Sequence, residues 1–198
     1  MNYLAHLYLA QPTADSSFGN LLGDFQRGVD RERLPPAVRR ALKNHLLVDH
    51  YTDHHARVRE AKRLFSRPHR RFAPIALDVL FDHFLIKDWH TYNSVDFDDY
   101  CHHRYALLQA RHRQMPARMQ RVVSHMSANH GLAGYRELDG VERALTFIAD
   151  RLRFDNPFAD SIDDVERHYD ELYACFQAFF PDLIRHVAEH SPERESSV

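Results

Sequence analysis

Apolar residues recur at three- and four-residue spacing along almost the whole chain, and no stretch alternates strictly for long enough to read as a strand. The pattern predicts an all-α protein, a compact multi-helix bundle. A first helix is expected from about Tyr3 to Leu9. A second starts near Ser16, with Asp15 as its N-cap, and stops at Gly28, placed as the residue just past the helix end. Pro35 and Pro36 suit the first turn of a long third helix running to Phe65, with Leu42, Leu46, Tyr51, Val58 and Leu64 as its inward stripe. Pro74 opens the segment APIALDVLFDHFLIKDWHTY, which is hydrophobic nearly all round and therefore expected at the centre of the bundle. Later helices are expected over Asp98 to Gln114, Pro116 to Asn129, Glu137 to Arg151 and Ile162 to Glu189, the last interrupted or kinked at Pro181. The closing SPERESSV reads as a mobile tail, leaving residues 1–190 as one domain.

Composition narrows the class. The 198 residues are 44% hydrophobic and 27% charged with few glycines and prolines, which excludes a disordered or fibrous chain. A net charge of -2 argues against a general nucleic-acid binder, but the charge is uneven. Residues Arg27 to Arg71 carry 13 basic against 5 acidic residues, and the remainder 13 against 23. Cys101 and Cys175 are far apart and fit neither a disulfide scaffold nor a zinc ribbon. The N-terminus lacks a basic leader segment, and Asp78 and Asp82 break the apolar run of residues 73–85. A cytoplasmic protein without a membrane span is expected.

Spacing then selects among the 16 histidines. His45, Asp49 and Asp53 lie at i, i+4 and i+8, which stacks an imidazole and two carboxylates on one helix face at steps of about 6 Å. That face suits a metal or a phosphate. The alternative is a solvated polar face continued by Arg57. Asp78 and Asp82 repeat the four-residue spacing inside the most apolar helix, with His83 adjoining, and buried carboxylates there require a cation, a hydrogen-bonding network or a metal. His6, on an apolar helix, and Asp24, near an unfavourable helix end beside Arg27, would complete the set. Mixed carboxylate and imidazole donors favour Mn²⁺, Fe²⁺, Mg²⁺ or Zn²⁺. Phosphate-binding glycine loops, a GxSxG elbow and an HExxH zinc motif do not occur in the chain.

The segments MNYLAHLYLA, GNLLGDFQRG, HLLVDHYTD and LDVLFDHFL resemble, in that order, the successive motifs of the bacterial acyl carrier protein phosphodiesterase family over roughly the first 90 residues. That family in turn resembles the histidine-aspartate (HD) phosphohydrolases, which are all-helical and metal-dependent. The resemblance implies removal of the 4′-phosphopantetheine arm from holo-acyl carrier protein, with manganese as the favoured ion. It points to His6, Asp24, His45, Asp49, Asp53, Asp82 and His83. Asp78 joins them on helical geometry alone, and Arg27 is inferred as a phosphate clamp. The order Asp82–His83 reverses the usual HD dyad.

On this reading His6, Asp24, His45, Asp49, Asp82 and His83 supply the metal ligands, while Asp53 or Asp78 provides a proton or orients ligands. The cationic segment would receive the acidic carrier through Arg39, Arg40, Lys43, Arg59, Lys62, Arg63, Arg67, Arg70 and Arg71. Alternatives are an HD-like phosphohydrolase of a nucleotide or small phosphate ester, and a non-catalytic carrier-binding protein.

Overall fold

A computed structural model describes residues 1–194. Among them are eleven α-helices and no strand: α1 (Tyr3–Tyr8), α2 (Ala14–Leu22), α3 (Pro36–His54), α4 (Ala56–Leu64), α5 (Ala73–Lys87), α6 (Trp89–Tyr92), α7 (Phe97–Arg111), α8 (Ala117–Ala128), α9 (Leu138–Ala149), α10 (Ser161–Arg167) and α11 (Tyr169–His190). None is long and apolar enough to cross a membrane.

Helix α5 occupies the centre, as its apolar circumference demands, with α1, α4, α9 and α11 packed around it. Phe81 lies with its ring centroid 5.5 Å from that of Phe176 and 5.6 Å from that of Phe179, joining α5 to α11 through an aromatic layer. Helices α2 and α3 approach most closely where Gly19 faces Ala41. A Cβ at Gly19 would lie 2.4 Å from Ala41 Cβ and from Val38 O, so the contact requires glycine.

Several boundaries differ from the sequence pattern, each for a local reason. Thr13, not Asp15, caps α2, its Oγ1 accepting from Ser16 N at 3.2 Å. That helix ends at Leu22 in a 3₁₀ turn, Gly23–Phe25, while Gly28 takes φ 79° in the following turn. The long third helix is divided at His55, which has extended backbone, caps α4 through its ring nitrogen and lies 3.4 Å from Asp182 of α11. Leu46, expected in the inward stripe, is 40% exposed. The final helical segment breaks at His168 rather than Pro181, and α11 continues through the proline. Of the expected tail, Ser191 is buried and Glu193 Oε1 accepts from Asn20 Nδ2 at 2.8 Å. Residues 195–198 lie outside the described part.

Candidate metal centre and adjoining pocket

The four-residue spacing on α3 brings the His45 ring against the Asp49 carboxylate, with Nε2 3.0 Å from Oδ2. From α1, His6 Nε2 stands 3.2 Å from the other oxygen, Oδ1. The two imidazoles stack with centroids 3.9 Å apart. One donor atom from each of His6, His45 and Asp49 lies within 4.8 Å of the others.

Their environment sets their protonation. Asn20 O accepts from His45 Nδ1 at 2.7 Å, which orients the ring with Nε2 toward the Asp49 carboxylate. His6 is 0% exposed, and its burial together with the neighbouring His45 pushes its pKa down to about 3. It is therefore a neutral donor, and neither ring nitrogen has a hydrogen-bond partner. Burial opposes ionisation of Asp49, but His45 and His6 outweigh it and hold the carboxyl far below the usual range. Two imidazoles, one of them buried with no hydrogen-bond partner, and an ionised carboxylate are donor chemistry that suits a divalent ion.

The Met1 ammonium lies 3.2 Å from Asp49 Oδ1 and 2.9 Å from Asp78 Oδ1, so two carboxylates converge on positive charge beside the cluster. A pocket of about 360 Å³ opens there, lined by Met1, Asn2, Tyr3, Asp24, Ile75, Asp78, Val79, Arg118 and Ile148. Asp24 is exposed to the pocket, yet protein atoms crowd it. That desolvation pushes its pKa up to about 6, against the pull of His45. Burial also raises the pKa of Asp78.

The remaining predicted residues separate from this cluster. Asp82 is fully buried, with Oδ2 accepting from Leu4 N at 2.9 Å and Oδ1 from Ala5 N at 3.0 Å. It satisfies the N-terminal amides of α1, whose first turn has no acid of its own, and so orients the helix bearing His6. His83 points elsewhere: Nδ1 donates to Tyr135 O and Nε2 accepts from Tyr169 Oη, both at 2.8 Å. The adjacent pair is thus two structural clamps rather than a dyad, because neighbours on a helix diverge by about 100°. Asp53 is exposed and pairs with Lys62 at 2.8 Å.

Among the predicted cations, Arg27 is exposed in the turn after Asp24 but does not line the pocket. Arg118 of α8 does, its guanidinium 5.7 Å from the Phe25 ring centroid. Nothing in its sequence context, one of many basic residues, distinguished it. In the basic segment, Arg39 pairs with Glu32 at 3.1 Å and Arg70 donates to Phe65 O, closing the end of α4. Arg71 lies over Phe72, 4.5 Å from its centroid. Arg40, Lys43, Arg59, Arg63 and Arg67 are exposed.

No solved structure matches the chain. The family profile described as acyl carrier protein phosphodiesterase matches residues 1–183. An acyl carrier protein phosphodiesterase of Yersinia pestis is 35% identical over 191 residues, spanning 96% of this chain and 98% of the relative. One from Salmonella newport (strain SL254) is 36% identical over 193 residues, spanning 95% and 98%. One from Escherichia coli (strain K12 / DH10B) is 36% identical over 187 residues, spanning 93% and 96%. With both the profile and these relatives spanning nearly its full length, the chain belongs to the acyl carrier protein phosphodiesterase family.

Proposed function

We propose that the protein is a metal-dependent phosphodiesterase that releases 4′-phosphopantetheine from the serine of holo-acyl carrier protein. The observation that carries this reading is the buried His6–His45–Asp49 cluster opening onto a pocket lined by two further carboxyls and one arginine. His6, His45 and Asp49 would hold the ion, Mn²⁺ first among the candidates, and Asp24 is the nearby carboxyl suited to complete the set. When bound, the ion supplies Lewis-acid polarisation of a phosphoryl oxygen.

The chain's own groups do the rest. Arg118 presents a planar fork of donors that matches phosphoryl oxygens and stabilises the charge developing on them. Asn20, through its carbonyl, holds the His45 ring in register. Water adds to phosphorus and gives up a proton to solvent, the bond from phosphorus to the serine oxygen breaks, and that oxygen takes up a proton, the acid that supplies it being reprotonated from solvent. Asp78 lines the pocket wall, its pKa raised by burial against the pull of the Met1 ammonium, and would deliver it. The exposed cations Arg40, Lys43, Arg59, Arg63 and Arg67 would steer an acidic carrier toward the enzyme from a distance.

Mass spectrometry of holo-acyl carrier protein incubated with the protein and Mn²⁺, with and without chelator, tests the proposal. The expected result is loss of the prosthetic group only in the metal-containing sample. An intact holo-carrier under both conditions refutes it.

A further inference from the structure

The scissile bond joins phosphorus directly to a serine side chain, so only a few covalent bonds separate the reacting atom from the carrier's backbone. The carrier's own surface must therefore rest on the mouth of the pocket while the bond is cut. We infer that this mouth is the docking surface for the acyl carrier protein, with Phe147 and Phe154 as apolar anchors in a frame made by Arg71, Arg118 and Arg151. The inference rests on the phosphodiesterase reading and adds to it the surface that holds the partner.

Phe147 is 60% exposed and Phe154 52% exposed. Each carries a guanidinium on its ring: Arg151 lies 5.1 Å from the Phe147 centroid and Arg71 5.4 Å from that of Phe154. Phe147 adjoins Ile148, and Ile148 lines the pocket together with Arg118. Phe147 points about 100° away from Ile148 on α9, and the link to the site runs through Arg151, which lies on the Phe147 ring and whose charge, with that of Arg118, acts on the pocket residue Tyr3.

This combination fits an acidic partner with an apolar face. Arginines held over aromatic rings are weakly hydrated and ordered, so they meet carboxylates at small entropic cost. Exposed aromatics framed by arginine are also the residue types enriched where protein partners anchor. Phe147 also lines a shallow depression with Glu142, Arg143, Thr146 and Asp150. The division of labour is kinetic. Distant cations set the association rate, whereas groups desolvated in the complex set its lifetime.

Apo-acyl carrier protein presents the partner's surface without a cleavable arm. Its binding to the metal-replete enzyme is followed by biolayer interferometry, beside holo-carrier cleavage by the parent. The double variants Phe147→Ser with Phe154→Ser, and Arg71→Glu with Arg151→Glu, are expected to dissociate about tenfold faster or more. Unfolding midpoints of both variants are measured beside the parent's to establish that they fold. Parent-like dissociation from both variants, with cleavage intact in the parent, overturns the docking surface alone. A parent that cleaves the holo form but does not bind the apo form also overturns it. A parent that neither cleaves nor binds overturns the phosphodiesterase reading as well.

Discussion

Gly23 lies so close beneath the ring of His45 that a Cβ placed on it would stand 2.0 Å from His45 Cδ2 and 2.1 Å from Nε2. The imidazole occupies the space any other residue would fill. Gly23→Ala therefore forces the ring to turn away from Asp49, at about 1–3 kcal/mol of overpacking. Mn²⁺ affinity is expected to fall at least as far as it does in His45→Ala. A Gly23→Ala protein that binds Mn²⁺ like the parent in a calorimetric titration would show that His45 is not a ligand.

Asp82→Ala acts first on stability. It strips the acceptors from Leu4 N and Ala5 N, two buried amides at the start of α1. A loss of about 1–3 kcal/mol in denaturant unfolding is expected. Asp82→Asn, which keeps one acceptor oxygen, should lose less and still bind one Mn²⁺ when folded. A folded Asp82→Asn protein devoid of ion would return Asp82 to the ligand set.

The sequence suggested Arg27 as the phosphate clamp, whereas the arginine that lines the pocket is Arg118. Replacing Arg118 by Ala is expected to lower kcat toward the holo-carrier about 10²-fold or more, the usual scale for losing one preorganised donor. The same change at Arg27 should cost far less. Equal losses in steady-state assays would mean that the exposed turn, rather than α8, reaches the phosphoryl group.

Asp164 provides a pH dependence away from the metal cluster. It is 2% exposed, with Oδ2 accepting from Ser66 Oγ at 2.8 Å and from His69 Nδ1 at 2.7 Å. Burial opposes its charge, but His69 and Ser66 prevail and hold its pKa below the ordinary value. A depressed carboxyl stabilises the fold fully above its unfolded pKa of about 3.9, and that contribution is lost as pH falls through the lower folded value. Asp164→Asn should cost about 3 kcal/mol at pH 7 and flatten the decline in urea midpoint below pH 4. An unchanged acid limb in the variant would assign that decline to other carboxylates.

Helical periodicity made α1, α2 and α5 readable because most of each is buried: Leu4 to Leu7 in α1, Ser16 to Leu22 in α2 and ten of the fifteen residues of α5. The division at His55 was not readable: the local pattern is uniformly helical, and the break is held by packing on Phe179 and by Asp182, both from a distant helix. His45 and Asp49 were legible since one helix carries both. Asp82 presented the right question, an acid in an apolar helix needing compensation, but backbone amides answer it and leave no signature in side-chain spacing. Arg118 reaches the pocket only through the tertiary placement of α8.

Asn20 joins α3 to the C-terminal part of the described chain. Its backbone carbonyl receives His45 Nδ1 at 2.7 Å, while its side-chain amide reaches Glu193 at 2.8 Å and, through its oxygen, Asn44. Glu193 is thereby connected, through one asparagine, to the His45 imidazole of the candidate centre. Trimming the chain back to His190, a cut that would seem to remove only surplus residues, would loosen that imidazole from the far side.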